Sequence, residues 1–410
     1  MFRLPPTAAL LVLLAAAPVL AQAPAPLATA TAAPAAAALA PAEAAGIQAP
    51  LVQAGAWILY DRTAGQILAE SNPDLRWEPA SLTKLMTAYL VLEAVRDGRL
   101  SWQQAVEVPA AVRRVGNEES RMYLAPGQRI SLAMLMGGLL VVSANDAALT
   151  LARAVDADED AFVARMNAAA VRLGMSGTHF NNPSGIPGPT HYTTAADLLR
   201  LTLAFDRDFP QVYQLSRQQH FAYQRFQHTS TNRLLALDPT VDGLKTGHTR
   251  AAGYNIVVSS RGLAAAGQPD RGFIVVLLGA PSRAAQVQSA RALLAHGASA
   301  FHLVQVLTAG EALQHSRVYG SAAGSVGLGV TEGRILALPA GIQPQLRITL
   351  EDTTPFAPVT RGTVIGHVEA LAGGQPLLRA PLVTLEDAEP AAWPTRFRDR
   401  ISLLLSQWMG

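Results

Sequence analysis

The stretch PASLTKLMT, residues 79–87, places Ser81 and Lys84 three positions apart at the start of a run with helical periodicity. A serine hydroxyl is a poor nucleophile until a base takes its proton, and a lysine one helical turn away can do so if its pKa is lowered. Ser81 lies at the start of the predicted helix, where backbone amides are free. Because a bare Ser-x-x-Lys pair is common by chance, the pattern needs support from elsewhere in the chain.

Lysine is almost absent from this sequence. Of the 32 basic side chains only Lys84 and Lys245 are lysines, and all the others are arginines. Arginine keeps its proton at any pH a protein meets, whereas a buried lysine can lose its proton and serve as a base. We therefore expect both lysines to take part in catalysis; the alternative is that lysine is merely rare and these two survive by drift.

Two further patterns accompany the first, Ser143-Ala144-Asn145 at the end of an apolar helical run and Lys245-Thr246-Gly247 on a predicted strand. Ser-x-x-Lys, Ser-x-Asn and Lys-Thr-Gly, in this order and at domain-scale spacing, are highly specific together. The set resembles the signature of the active-site serine penicillin-recognising enzymes.

The composition excludes several other classes of site. The 410 residues include no cysteine, so thiol nucleophiles, disulfides and cysteine-based metal sites are impossible. The net charge is +2 without a basic block, which argues against nucleic-acid binding. His179 and His191 lie in a polar loop without a metal-ligand pattern, so we expect loop hydrogen bonding there and neither a metal nor another cofactor.

The N-terminus has the pattern of a secretory signal peptide. An early arginine precedes an apolar run at 8–20, and small residues at Ala21 and Ala23 offer cleavage sites. We predict a signal peptide over residues 1–21; an uncleaved N-terminal anchor is the alternative. Residues 22–50 are almost entirely Ala, Pro and Thr, which predicts an extended linker.

Residues 51–300 are expected to form one catalytic domain. A predicted hairpin opens the region, mostly helical patterns follow, and short strand patterns return from Val241 before a last helix. The sheet must therefore combine strands from distant parts of the chain. The predicted fold class is α+β.

Residues 301–388 change to short strand patterns at hairpin spacing, which predicts a small all-β domain. The predicted strands lie at 324–330, 333–338, 346–350, 363–368 and 376–383.

Residues 391–410 have the pattern of an amphipathic helix. One face carries Phe397, Ile401, Leu404, Leu405 and Trp408, with arginines flanking it and Asp399 opposite. Nothing in the sequence follows to cover that face, and arginines suit anionic headgroups. We predict a helix that lies on a membrane surface; an ordinary helix docked on the protein is the alternative.

The sequence around these motifs closely resembles the D-alanyl-D-alanine carboxypeptidases, the low-molecular-mass penicillin-binding proteins of the S11 serine peptidase type. The matching stretches lie at residues 79–87, 143–148, 182–197 and 242–249. The resemblance continues into the small β domain and the terminal helix of the larger members. It implies a penicillin-binding/β-lactamase-like transpeptidase domain, in which an antiparallel sheet flanked by helices is joined by a helical subdomain.

The resemblance also implies a mechanism of acyl transfer. Ser81 would attack the carbonyl between the two terminal D-alanines of a peptidoglycan stem peptide, with Lys84 as base and Ser143 relaying the proton to the leaving amine. Backbone amides of Ser81 and His248 would form the oxyanion hole. A second ammonium near Lys84 should lower its pKa by repulsion.

The remaining implied residues bind substrate. Asn145 would hold an amide of the stem peptide and help to fix Lys84. The terminal carboxylate would lie on the strand that carries Lys245, Thr246 and Gly247, with Arg283 as a further partner. The loop before Arg283 differs in length from the usual pattern.

Three other functions are related to the same motifs. A class A β-lactamase expects an aspartate where Ala144 stands and a downstream glutamate that residues 182–185 lack. A D,D-endopeptidase, which cuts peptide cross-links with the same machinery, stays open, although such enzymes usually lack the β domain and the terminal helix. A non-catalytic penicillin-binding scaffold is the third alternative, and the retention of the only two lysines at catalytic positions argues against it.

These expectations place the protein outside the cytoplasm. The signal peptide and the terminal helix predict an exported protein of the periplasm, peripheral on the outer face of the cytoplasmic membrane. The expected partners are the peptidoglycan stem peptide, β-lactam antibiotics and the membrane surface.

Overall fold

The computed structural model describes residues 48–262 and 270–409, with side chains as far as residue 405 in the last helix. The predicted signal peptide and all of the predicted linker before residue 48 lie outside the described residues. The described part divides into a catalytic domain, a β domain and a terminal helix.

The described residues of the catalytic domain form nine strands. They are β1 (Ala56–Asp61), β2 (Gln66–Ser71), β3 (Ala105–Glu107), β4 (Arg129–Ser131), β5 (His220–Tyr223), β6 (Phe226–Thr229), β7 (Val241–Thr249), β8 (Gly253–Ser260) and β9 (Phe273–Ala280). Five of them form an antiparallel sheet in the order β2-β1-β9-β8-β7, while β3-β4 and β5-β6 are separate two-stranded ribbons. In the β1–β9 pair, Ala56 lies opposite Leu278. Strands from the two ends of the domain therefore meet, as predicted.

In the described part of the same domain there are eight helices. They are α1 (Thr83–Arg96), α2 (Leu132–Val141), α3 (Asn145–Val155), α4 (Glu159–Arg172), α5 (Ala195–Asp208), α6 (Val212–Ser216), α7 (Leu234–Leu237) and α8 (Arg283–Ala300). A 3₁₀ turn over Ala80–Leu82 leads into α1. Helix α1 is buried along most of its length, which explains its nearly continuous apolar sequence.

The central sheet is covered on both faces. In β9, Ile274 and Val276 join the core that contains buried residues of α1 to α5, while Val275 and Leu277 join the core against α8. Successive strand residues point to opposite faces, so a strand covered on both sides is apolar throughout. Sheet and helices together confirm the predicted α+β class.

The β domain contains seven strands. They are β10 (Phe301–Leu307), β11 (Gln314–Arg317), β12 (Ser325–Gly329), β13 (Arg334–Pro339), β14 (Gln345–Leu350), β15 (Val364–Ala372) and β16 (Gln375–Thr384). A five-stranded sheet has the order β11-β12-β16-β15-β14, and β10 pairs with β13. The sequence reading missed β10 and β11. Strand β10 follows α8 without a turn residue, and β11 is a polar, mostly exposed strand without apolar alternation.

The terminal helix α9 (Trp393–Met409) docks on the β domain through its polar side. Asp399 is buried and accepts a hydrogen bond from the Gly320 amide at 2.9 Å, and its carboxylate lies 3.6 Å from the Arg317 guanidinium. The opposite, apolar face is exposed, with Phe397 and Leu404 at 60% and 65% of their full accessibility. Among the described helices, none is long and apolar enough to span a bilayer.

Candidate active site

Ser81 lies in the tight turn that opens α1. The preceding residue, Ala80, has a φ of +50°, which is unusual for a residue with a side chain and turns the backbone sharply. Lys84 follows in the first turn of α1, and its Nζ donates a hydrogen bond to the Ser81 Oγ at 2.9 Å. A candidate nucleophile and a candidate base are therefore in direct contact.

Lys84 is completely buried, and no carboxylate forms a salt bridge with it in the part of the chain that the structure describes. Its Nζ donates a second hydrogen bond to the carbonyl oxygen of Ser184. Burial, followed by the positive charge of Lys245, holds the pKa of Lys84 well below its ordinary value. Glu119 and Asp146 act in the opposite direction and are outweighed. Lys84 is thus poised to accept a proton.

Lys245 is the second buried lysine. Its ammonium donates to the carbonyl oxygen of Thr246 at 2.7 Å, and burial lowers its pKa to about 7. Near neutral pH this group gains or loses a proton easily. An anion bound beside it would favour the protonated form.

Strand β7 runs directly against the turn that carries Ser81. A Cβ added at Gly247 would lie 2.9 Å from the Pro79 carbonyl oxygen and 3.0 Å from the Ser81 amide nitrogen. Only glycine permits this approach without a shift of the backbone. The contact brings the Ser81 amide next to the edge of β7 and to His248, the following residue.

Ser143 lies between α2 and α3 and Asn145 begins α3, both on the helical side of the same cleft. Ser143 is buried and has a φ of +64°, and the Asn145 side-chain amide donates to the carboxylate of Glu119. The Asn145 backbone amide also donates to the carbonyl of Ser120 at 2.7 Å. Within the described residues, no hydrogen bond joins the Ser143 hydroxyl to Ser81 or Lys84.

A pocket of about 300 Å³ opens above these groups. Seven of the residues singled out from sequence line it: Ser81, Ser143, Asn145, Thr246, Gly247, His248 and Arg283. Lys84 and Lys245 lie beneath its wall. Arg283 reaches the pocket from the first position of α8, with its guanidinium 6.0 Å from the centre of the Tyr254 ring. Motifs far apart in sequence therefore converge on one cavity.

The sequence reading missed several groups of this site. Glu119 binds Asn145, the Ser184 carbonyl binds Lys84, and the Thr231 hydroxyl accepts a hydrogen bond from Thr246 at 2.7 Å. Glu119 had only a weak signal, the adjacent acidic pair Glu118-Glu119. A backbone carbonyl such as that of Ser184 leaves no such signal.

The two loop histidines make loop hydrogen bonds. His179 contacts the Thr190 carbonyl at 3.0 Å, and the buried His191 contacts the Thr83 hydroxyl at 2.8 Å. The described residues contain no group of three or more His, Cys, Asp or Glu side chains arranged to hold a metal ion.

Comparison with known proteins identifies this arrangement. The family model described as D-alanyl-D-alanine carboxypeptidase, Peptidase S11, matches residues 43–282, and the model of the penicillin-binding protein 5 C-terminal domain matches residues 301–390. The chain belongs to the D-alanyl-D-alanine carboxypeptidase family. This S11 carboxypeptidase is accordingly a serine-type hydrolase and a low-molecular-mass penicillin-binding protein, as the sequence predicted.

Individual relatives of this carboxypeptidase cover between 60% and 89% of the chain. D-alanyl-D-alanine carboxypeptidase DacC of Escherichia coli (strain K12) is 32% identical over 371 residues, which are 89% of this chain and 91% of that protein. Penicillin-binding protein 5 from Haemophilus influenzae has a TM-score of 0.75 at 32% identity and covers 84% of this chain and 100% of its own. Penicillin-binding protein D2 from Listeria monocytogenes in the cefotaxime-bound form has a TM-score of 0.54 at 31% identity and covers 60% and 98%, respectively.

Proposed function

We propose that this carboxypeptidase removes the terminal D-alanine from peptidoglycan stem peptides through an acyl-enzyme on Ser81. The observation that carries the proposal is the 2.9 Å hydrogen bond from the buried Lys84 to the Ser81 hydroxyl. A lysine whose pKa is lowered by burial and by a second cation can take the serine proton near neutral pH, which an arginine cannot do. The family of the chain supports the choice of substrate.

In the acylation step, the Ser81 Oγ attacks the carbonyl carbon of the penultimate D-alanine while Lys84 takes the hydroxyl proton. The carbonyl oxygen becomes an oxyanion that accepts hydrogen bonds from the amides of Ser81 and His248. The close approach of β7 to the Ser81 turn supports this pair of donors. The C–N bond then breaks, and the departing amine receives its proton through Ser143.

Hydrolysis of the acyl-enzyme completes the cycle. Lys84 takes a proton from water as the water oxygen attacks the Ser81 ester. The ester bond breaks, the proton returns to the Ser81 oxygen, and the shortened peptide leaves with a new carboxylate.

The leaving D-alanine is held by its carboxylate. We assign this contact to Thr246 and Arg283, with the ammonium of Lys245 behind them. Asn145 holds an amide of the stem peptide on the other side, and Gly247 keeps β7 close to the Ser81 turn, so the bound peptide can lie between β7 and Asn145. The lowered pKa of Lys245, about 7, rises when the carboxylate binds, so substrate binding charges this lysine.

The same nucleophile accounts for inhibition by β-lactams. The ampicillin-bound and cefotaxime-bound forms of the Listeria protein support this view, since that protein is 31% identical to the chain. The Ser81 Oγ attacks the carbonyl carbon of the β-lactam, the C–N bond of the ring breaks, and the opened ring stays attached to Ser81 as an ester. That ester occupies the pocket and stops turnover.

Membrane attachment through α9 is a further part of the proposal. The helix docks by its buried Asp399 and leaves Phe397, Ile401, Leu404 and Leu405 exposed. An apolar face at a protein surface, bordered by Arg396 and Arg400, fits an interface between headgroups and acyl chains. We place the enzyme in the periplasm, peripheral on the outer face of the cytoplasmic membrane.

Replacement of the nucleophile tests the catalytic proposal. Ser81→Ala is expected to abolish both the release of D-alanine from a pentapeptide stem and covalent labelling by a fluorescent penicillin. Ser101→Ala, which changes an exposed serine outside the pocket, serves as the control. Stoichiometric labelling of the Ser81→Ala protein would refute the assignment.

A further inference from the structure

An arginine-lined groove continues from the catalytic pocket. Two cavities of about 580 and 590 Å³ lie beside it, and both are lined by Arg233, Leu237 and Arg283. The first shares Thr231 and Arg283 with the catalytic pocket, and the second adds Arg291 from α8. We call this continuous surface, with Arg233, Arg283 and Arg291 along it, the arginine groove.

The arginine groove is positively charged, and no acidic side chain that lines it neutralises this charge. Arg233, Arg283 and Arg291 are all exposed, and no carboxylate lines either cavity. In the described part of the chain none of the three forms a salt bridge, whereas Arg200, Arg207 and Arg261 each have an aspartate partner. Helix α8 begins at Arg283 without an acidic residue in its first turn, so its positive end adds to the field.

The position of the groove indicates which part of a substrate reaches it. The proposed function puts the carboxylate of the leaving amino acid at Thr246 and Arg283. A leaving D-alanine ends there, because its side chain is a single methyl group. A larger leaving group would extend past Arg283 into the groove, over the exposed side chain of Leu237.

We propose that the arginine groove binds the leaving-group half of cross-linked peptidoglycan, a second stem peptide that bears free carboxylates. This inference rests on the proposed function and extends it to cleavage of peptide cross-links. Charge complementarity selects the occupant: the cross-linked half carries several carboxylates, whereas a free D-alanine has one and it is already bound. The arginine groove thus recognises the part of the substrate on the amine side of the scissile bond and contributes to specificity there.

The test compares two substrates with the same acyl half, a pentapeptide stem and a cross-linked dimer of stem peptides. The variant is Arg233→Gln with Arg291→Gln, both outside the catalytic pocket. The control, Arg113→Gln with Arg361→Gln, also removes two positive charges. Both of these arginines are exposed, and neither forms a salt bridge among the described residues. Measured quantities are kcat/KM for both substrates and their dependence on salt.

The variant is expected to lose roughly tenfold in kcat/KM on the dimer, the size of effect that two exposed charge pairs produce. Its kcat/KM on the pentapeptide should change less than twofold, and the control should match wild type on both. Salt should depress dimer cleavage more steeply than D-alanine release in wild type, and less so in the variant.

Three outcomes would overturn the proposal. They are that wild type releases D-alanine and leaves the dimer intact, that the variant loses activity on both substrates in equal proportion, or that the variant loses binding to anionic vesicles while its dimer cleavage persists. The first leaves the carboxypeptidase proposal standing. Failure of wild type on both substrates would instead reject the proposed function itself.

Discussion

His191 and Thr83 are 108 positions apart in sequence, and the His191 Nε2 lies 2.8 Å from the Thr83 hydroxyl. The Thr83 hydroxyl donates to the Ala80 carbonyl at 2.8 Å, so the imidazole Nε2–H is the donor to Thr83. The other ring nitrogen accepts from the Asn181 amide at 3.3 Å. A neutral histidine therefore holds the turn that carries Ser81.

This arrangement predicts a pH dependence of stability. Burial, then the charges of His179 and Lys84, lower the pKa of His191 to about 4. Between about pH 4 and 6.5 the unfolded chain binds this proton and the folded chain does not, so the free energy of unfolding falls as pH falls through that window. Urea unfolding measures the free energy of unfolding at pH 5 and pH 7. The difference between the two values should be smaller for His191→Phe than for wild type.

His315→Phe, which changes an exposed histidine of the β domain, is the control for that measurement. It should keep the wild-type pH difference. An unchanged pH difference in His191→Phe would show that this histidine does not titrate on unfolding.

Lys84→Arg is predicted to destroy acylation although it keeps a cation. The guanidinium cannot accept the serine proton, and loss of general-base catalysis costs roughly 10²- to 10⁴-fold. Stopped-flow acylation by a fluorescent penicillin measures the rate, and circular dichroism checks the fold. Acylation within a few-fold of wild type would show that another group is the base.

Gly247→Ala is predicted to slow acylation roughly tenfold to a hundredfold, because small misplacements of reacting groups are costly. The new Cβ would lie within 3.1 Å of Pro79, Ser81 and Leu82 backbone atoms and push β7 away from the turn. Gly327→Ala, whose Cβ would meet Ala312 at 3.4 Å in the β domain, is the control. Equal acylation rates in the two variants would contradict the close approach.

Phe397→Ser with Leu404→Ser is predicted to release the protein from membranes. Both side chains are more than half exposed, so their loss removes apolar surface without opening a core. Flotation with anionic vesicles measures attachment, and activity on a small soluble substrate should stay unchanged. Ser402→Ala on the same helix is the control, and undiminished flotation of the double variant would argue against α9 as the anchor.

Complete removal of residues 391–410 should have the same effect in cells. We expect the truncated enzyme to move from the membrane to the soluble periplasmic fraction with its activity on a soluble substrate intact. Retention at the membrane would assign the attachment to the N-terminal stretch.

Amine labelling should report the active site with little background. Lys84 and Lys245 are the only lysines, so after signal cleavage the other amine is the new N-terminus. Penicillin pretreatment is expected to protect both lysines, but not the N-terminal amine, from an amine-selective reagent, as read by peptide mass spectrometry. Equal modification with and without penicillin, in protein acylated at Ser81, would mean that the reagent does not reach the two buried lysines through the catalytic pocket.

The fold class followed from local patterns because each pattern reports a local requirement. The hairpin of β1 and β2, the apolar run of α2 and the strands β7 to β9 have apolar runs bounded by turn residues, which elements buried on both sides require. Strands β10 and β11 lack such a signal. Pairing makes strands of them: β10 pairs with β13 across two intervening strands, and β11 pairs with the next strand, β12.

The chemistry of the site was readable for the same reason. Serine, lysine and Lys-Thr-Gly are required as residue types, so Ser81, Lys84 and Lys245 stand out in the printed sequence. The neighbouring groups that set the hydrogen bonding and the pKa of these residues could not be predicted from the sequence. Glu119, the Ser184 carbonyl and His191 matter because folding places them next to the reactive groups. Backbone groups and common side chains that act in this way leave little trace in one sequence.

The sequence by itself determined the reactive groups, the family resemblance and the amphipathic character of α9. Only the tertiary structure decided the state of those groups. The pKa of Lys84 is lowered by burial and by Lys245, which is far away in the chain, and the Ser184 carbonyl that binds it is 100 positions distant. Desolvation and Coulomb energy depend on distances in space, and those distances exist only once the chain has folded.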